Sequence, residues 1–204
     1  MTTSRLEQAR RLQAVAQTGL HYARDPFDIQ RYQEIAAIAH AQLAELTGAA
    51  TTEQITQLFI PEKGYANPKL DVRTAVFRDD RILLVRELSD GCWTLPGGWA
   101  DVGSTPAQIA AREVLEEAGF VVRISRFMKL IDMHQHAHPP EPFHIWKLIF
   151  QGEILSEGQP DGIETDGVGF FALDDLPPLS LQRILPEQIA RLFELRASGG
   201  VDFD

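Results

Sequence analysis

Three glutamates set the chemistry open to this chain. Glu113, Glu116 and Glu117 stand at i, i+3 and i+4, and at 3.6 residues per turn that spacing puts all three on one helical face. Like charges so placed repel by about 0.2–0.5 kcal/mol per pair. A hard divalent cation would remove the repulsion, because Mg²⁺ takes oxygen ligands and is commonly shared between one or two carboxylates and substrate phosphates. A solvated acidic face is the plainer reading of the same spacing. Just upstream, Gly97 and Gly98 permit close backbone approach, so a carbonyl from residues 97–100 could join an oxygen shell; the alternative is a tight turn leaving a strand.

The element that must carry these carboxylates is legible at both ends. Thr105 suits an N-cap, Pro106 the first helical position, and Gln108 completes a capping box. Gly119 suits the residue just past the C-terminus. Ala107, Ala111, Val114, Leu115 and Ala118 gather roughly opposite the glutamates, so the spacing predicts a helix with one apolar and one acidic side.

Gly98 followed by Arg112-Glu-Val-Leu-Glu-Glu-Ala-Gly-Phe120 resembles the signature of Nudix hydrolases, G-x5-E-x7-R-E-U-x-E-E-x-G-U, where U is a bulky apolar residue. The match runs from the glycine loop through the helix, the context the motif needs. One position departs: Ser104 stands where the family usually has its first glutamate, which leaves the number of metal ions open. The resemblance implies an α/β fold, a mixed sheet sandwiched between helices. It implies metal-assisted hydrolysis of a diphosphate, with Mg²⁺ as cofactor and Mn²⁺ as a substitute. Glu116 and Glu117 would be metal ligands, Glu113 a third ligand or the residue orienting the attacking water, and Arg112 would steady them. By the same likeness Glu164, in the loop 161–167, is a further catalytic acid, with Asp161 and Asp166 as local alternatives. Ser104 would cap or bind water.

Lys63 to Arg73 resembles the start of the Nudix domain in a subgroup with a helical N-terminal extension, acting on nucleoside diphosphates linked to a small group X. CDP-choline and ADP-ribose are the substrates this implies, and a nucleoside monophosphate and X-phosphate the products. Arg73, Arg86 and Lys69 are the nearest cations for a diphosphate, or else surface charges. Gly97 and Gly98 would also face substrate. His134, His136 and His138 alternate before Pro139-Pro140, which reads as a loop over the site where His134 and Trp146 would touch a base or phosphate.

Upstream, Leu6, Ala9, Leu12 and Val15 recur at helical spacing from about Ser4 to Gln17. Asp25-Pro26 opens a second helix with Tyr32, Ile35, Ala36, Ala39, Leu43 and Leu46, ending near Gly48. Thr51 and Gln54 open a third, before Pro61. His21 and His40 read as surface or packing residues. Helices this small bury little alone, so residues 1–62 are expected to form an extension that makes a homodimer, with residues 63–204 as the catalytic domain. In the latter, 72–77 and 82–85 form a hairpin, 120–124, 127–133, 143–154 and 168–172 read as strands, and 186–197 as a helix.

The 204 residues are 44% hydrophobic and 24% charged, an ordinary globular balance. The net charge of -10 disfavours a broad grip on nucleic acid, whose affinity comes from Lys and Arg on phosphates. A lone Cys92 excludes an internal disulfide framework. With no charged-then-apolar leader and no apolar run near the roughly 20 residues that span a bilayer, a cytoplasmic location without a membrane partner is expected. Two other functions fit the pattern less well: a nucleotide sensor without turnover, for which Ser104 argues, and a pyrophosphohydrolase of nucleoside triphosphates or RNA ends.

Overall fold

A computed structural model describes residues 4–48 and 50–204. The chain divides into two compact units, one reaching to Pro68 and including Pro139–His144, the other comprising Lys69–His138 and Ile145–Asp204. Among the described residues, no helix is long and apolar enough to cross a membrane.

The first unit is three helices, α1 (Arg5–Tyr22), α2 (Pro26–Thr47) and α3 (Thr52–Phe59). Their starts follow the capping chemistry: the Ser4 hydroxyl accepts from Glu7 N–H, Asp25 from Phe27 and Asp28 N–H, and Thr51 and Gln54 complete a capping box. Gly48 ends α2 at φ +63°. The apolar stripe of α1 differs from expectation. Leu12 and Val15 are exposed, while Ala9, Arg10, Gln13 and Ala16 are buried, because a strict three-residue repeat drifts around a helix of 3.6 residues per turn. Gly19 continues α1 past Gln17, and any Cβ there would lie 2.4 Å from the Tyr32 ring of α2. Ala9, Leu43 and Ile55 form the core. Residues 139–144 belong with these helices: Arg10 donates to the Glu141 carbonyl at 2.8 Å and Phe143 meets Phe59 at 5.0 Å between ring centres. The double-proline segment, expected as a loop over the site, is thus part of the helical unit's own packing.

The second unit is built on a mixed sheet. Its strands are β1 (Lys69–Arg78), β2 (Arg81–Glu87), β3 (Trp93–Thr94), β4 (Gly97–Trp99), β5 (Phe120–Asp132), β6 (Ile145–Glu157), β7 (Thr165–Ala172) and β8 (Asp202–Phe203), with α4 (Pro106–Ala118) and α5 (Pro186–Ser198). β1 lies at the centre, antiparallel to β2 and β4 and parallel to β6. β5 lies antiparallel to β6, and β7 to β2. The hairpin turns at Asp79, at φ +53°, a conformation Asp tolerates better than most residues. Alternation along β1 and β2 creates two cores. Ala75, Ile82 and Leu84 pack with Ile189, Leu192 and Leu195 of α5, while Val76, Leu83 and Val85 pack with Val114 and Ala118 of α4. A buried face on each side of a sheet requires a helix on each side, and the expected mixed sheet between helices is present. The two runs expected at 120–133 are one strand whose register shifts three times against β6, and each bulge resets the alternation that separated them in the sequence.

Candidate active site

α4 begins and ends as its residues dictate. Thr105 Oγ accepts from Gln108 N–H at 3.3 Å, Gln108 Oε1 accepts from Thr105 N–H at 2.8 Å, and Gly119 closes the helix at φ +70°. Its rotation differs from expectation. Ala107 and Leu115 are exposed, and the stripe against the sheet is Ile109, Ala110, Val114, Ala118 and Glu117 itself. The glutamates therefore descend from solvent to core: the side chains of Glu116 and Glu113 are 45% and 13% exposed, and Glu117 is 5% exposed.

The glycine pair brings β1 and α4 together. In β4, Gly97 pairs with Arg73 and Gly98 with Val72. Gly97 has φ +148°, and a Cβ there would lie 2.0 Å from the Val72 carbonyl oxygen; no side chain fits that space. Its N–H donates to Glu117 Oε2 at 2.9 Å. A Cβ on Gly98 would stand 3.2 Å from Glu113 Oε2. The loop is thereby fitted to two of the three carboxylates.

Beneath them lies a charged layer that pattern reading does not assemble. Arg73 donates to Asp71 Oδ1 at 2.8 Å and to the Leu95 carbonyl at 3.0 Å, and Lys147 pairs with Asp71. All three side chains are buried. This corrects the reading of Arg73 as a surface or diphosphate-binding cation: its guanidinium is spent inside the protein, where its charge acts on Glu117 and Glu87. Glu87, buried at the end of β2, receives Arg183 Nε at 3.0 Å. Its one trace in the sequence is an acid closing the run Ile82-Leu-Leu-Val-Arg-Glu87.

Burial pushes Glu113 and Glu87 above the usual carboxylate range and Glu117 up to about 8, against the opposing pull of Arg73 and the Gly97 N–H on Glu117. Desolvated carboxylates crowded this way favour a proton or a hard cation. Among the described residues no three His, Cys, Asp or Glu side chains already converge as a metal cage, but Mg²⁺ needs only one or two carboxylates beside water and phosphate oxygens. The donor set fits such an ion.

Arg112 holds the outer edge, with contacts of 2.7 Å to Asp101, 3.1 Å to Glu113 and 3.7 Å to Glu116. Asp101, three residues before Ser104, thus supplies the loop with a carboxylate, but one turned toward Arg112. Ser104 is half-buried in the same turn, its N–H 3.5 Å from the Asp101 carbonyl. The loop 161–167 is tied to the end of α4: Asp161 N–H donates to the Glu116 carbonyl at 2.8 Å and Thr165 Oγ to that of Glu117 at 2.9 Å. Asp161 Oδ1 accepts from Ile163 N–H, and Asp166 engages Arg86 Nε at 2.7 Å. Glu164 is exposed, its carbonyl accepts from Leu88 N–H at 2.9 Å, and its charge reaches Glu87. The structure thus gathers Glu113, Glu116, Glu117, Arg112, Gly97 and Gly98, while the Glu164 carboxylate is linked to this cluster only through its charge on Glu87. His134 follows the end of β5 in the short turn Met133–Gln135, its N–H donating to Asp132 Oδ1 at 3.1 Å.

Comparison with known proteins agrees with this geometry. Residues 4–59 match the family described as "UDP-X-like, N-terminal oligomerisation domain", and residues 68–192 match the NUDIX domain. The chain is 44% identical over 193 residues to the "Putative ADP-ribose pyrophosphatase YjhB" of Bacillus subtilis (strain 168), covering 94% of this chain and 92% of that protein. An ADP-ribose pyrophosphatase from Streptococcus suis 89-1591 is 42% identical with a TM-score of 0.61, over 68% of this chain and all of that one. The crystal structure of a UDP-X diphosphatase is 30% identical with a TM-score of 0.65 over 100% of both chains. With a glutamate helix, a fitted glycine loop and a match that spans well over half the sequence, the chain belongs to the Nudix hydrolases.

Proposed function

We propose that this enzyme hydrolyses the diphosphate of a nucleoside diphosphate linked to a small group X, of the ADP-ribose or UDP-X type. One observation carries the reading: Glu117 and Glu113, pushed up by burial, abut a glycine loop in which no side chain fits at Gly97. The names of the relatives support the substrate class, two of them ADP-ribose pyrophosphatases and one a UDP-X diphosphatase. CDP-choline belongs in the same test.

Glu116 and Glu117 would hold Mg²⁺ or Mn²⁺, with Glu113 as third ligand or as the group orienting water. When bound, the ion supplies Lewis acidity toward the phosphoryl oxygens. Arg112 keeps Glu113 and Glu116 in place, and the buried Arg73 offsets the charge of Glu113 and Glu117. Glu164 takes the proton of the attacking water, whose oxygen bonds to one phosphorus as the bridging P–O bond breaks; the bridging oxygen leaves with the other phosphate. Arg86 meets the diphosphate at the mouth of the site, where it is half-exposed beside Asp166. We further propose a homodimer formed through residues 1–62 in the cytoplasm, in keeping with the oligomerisation family matched there and a single free cysteine. The test is a hydrolysis screen with and without Mg²⁺ across ADP-ribose, UDP-sugars, CDP-choline and nucleoside triphosphates. Nucleoside monophosphate plus X-phosphate, only with metal, is the expected outcome; binding without turnover would leave a sensor in its place.

A further inference from the structure

Proton transfer to Glu164 requires that residue to stand at a fixed distance from the carboxylates of α4, and the backbone supplies the fixing. Glu116 and Glu117 lie in the last turn of α4, where carbonyls find no partner within a helix. Both are taken by residues that flank Glu164. Asp161 N–H donates to the Glu116 carbonyl at 2.8 Å, and Thr165 Oγ1 to the Glu117 carbonyl at 2.9 Å. Between these ties the chain is shaped by its own residues: Gly162 turns at φ +70°, and Asp161 Oδ1 accepts from Ile163 N–H at 2.9 Å. The Glu164 carbonyl accepts from Leu88 N–H at 2.9 Å, just past the end of β2.

A bulge brings the Thr165 hydroxyl inward. Where β2 pairs with β7, Arg86 faces Gly167 and Glu87 faces Thr165, so Asp166 is the extra residue. Regular pairing would set Asp166 opposite the buried Glu87 and turn Thr165 toward the side of the exposed Leu88. With the bulge in place, Thr165 is 4% exposed, and Asp166 turns outward to Arg86 Nε at 2.7 Å. Bulges re-aim side chains in this way, and they gather beside active sites.

A buried strand position favours Val, which has nearly the shape of Thr and no hydroxyl. Here the hydroxyl is spent on the backbone of a glutamate proposed to hold the metal. We infer that Thr165 is a positioning residue: its hydroxyl, aimed inward by the Asp166 bulge, fixes the segment carrying Glu164 against the turn of α4 carrying Glu116 and Glu117. The assignment rests on the roles proposed above for those three glutamates. Because α4 is capped at both ends, loss of the hydroxyl frees the segment and leaves the helix where it is. Proton transfer then suffers, while the carboxylates of α4 keep their grip on a cation.

The test compares Thr165→Val, which removes the donor, with Thr165→Ser, which keeps it, in the full-length protein. Turnover is measured on the nucleoside diphosphate that the hydrolysis screen cleaves fastest. Mn²⁺ binding, followed by electron paramagnetic resonance of the free ion, gives the metal affinity and counts the folded sites. Thr165→Val is expected to lower kcat roughly tenfold per site, with KM and Mn²⁺ affinity unchanged, and Thr165→Ser to recover most of the loss. In a Glu164→Gln background the valine exchange should cost nothing further, because the group it positions is gone. Should Thr165→Val fail to fold, Thr165→Ala in the same two backgrounds takes its place. Full kcat without the hydroxyl, a serine variant as slow as the valine one, an equal loss in the Glu164→Gln background, or lost Mn²⁺ affinity in place of lost kcat would overturn the inference alone. Full turnover by Glu164→Gln, or a screen in which nothing is cleaved, would overturn the proposed roles and the inference together.

Discussion

The helices on the two faces of the sheet invite comparison. α4 and α5 each have 13 residues, a proline at the first turn, a glutamine three residues after the cap that accepts the cap N–H, and a closing glycine at φ +70°. Both pack on β1 and β2, one on each face. α5 spends its inner stripe on Ile189, Leu192 and Leu195, whereas α4 gives one inner position to Glu117. Near-identical local signals thus make a structural helix on one face and a chemical one on the other. The difference resides in a single turn of α4 and in the glycines and buried cations that accommodate it.

Exchanging charge for amide should separate the two helices most sharply. Glu116→Gln is expected to lower kcat/KM by roughly 10³-fold, about 4 kcal/mol, with an unchanged melting temperature, while Glu194→Gln on α5 leaves both unaltered. Steady-state kinetics beside thermal denaturation would expose a failure of that contrast. Next in size, Leu192→Ala should destabilise by about 2–5 kcal/mol in denaturant melts, yet leave the kcat/KM of the folded fraction intact. Glu117→Gln inverts this pattern: the amide oxygen can still accept from Gly97 N–H and no buried carboxyl remains that must be either desolvated as an anion or held protonated, so stability should hold or rise while turnover is lost. A marked drop in melting temperature would show Glu117 to be structural instead. Arg73→Met should cost about 3–5 kcal/mol, because it leaves Asp71 and the glutamates above it short of a buried cation.

The smallest effect lies on the α5 face. Hydrogen bonds from Lys129 and Arg191 hold Asp202 down to about 2, tying β5 and α5 to β8. A depressed acid contributes stability above its unfolded value, near 3.8, and loses it as pH falls through about 2. Melts between those limits should therefore decline with acid, less steeply in Asp202→Asn, and only modestly because Asp202 is partly solvated.

The ends of α4, its glutamates and its glycine loop were legible because capping and the Nudix signature are local. Which side of α4 meets the sheet was not. A helical wheel orders Glu113, Glu116 and Glu117 relative to one another, but the pairing of Gly97 and Gly98 with β1 turns Glu117 inward. Arg73 was misread for a similar reason. Asp71 lies two residues away on the same side of β1, and Lys147 reaches it only through the register of a distant strand. Glu87 and Asp101 escaped notice since each looks ordinary until Arg183 and Arg112 are brought against it. Among the N-terminal helices, Leu12 and Val15 matched a spacing of three rather than the helix's own period. The membership of residues 139–144 in the helical unit rests on contacts with Arg10 and Phe59, which carry no sequence signal at all.

The parallel pairing of β1 with β6 has a consequence for the protein's birth. Asp71 and Lys147, partners in the finished sheet, are 76 residues apart. At about 5–20 residues per second, the ribosome delivers β6 several seconds after β1. Until then one long edge of the central strand lacks its partner, and an unpaired strand edge is the feature that makes a partly folded chain prone to aggregate.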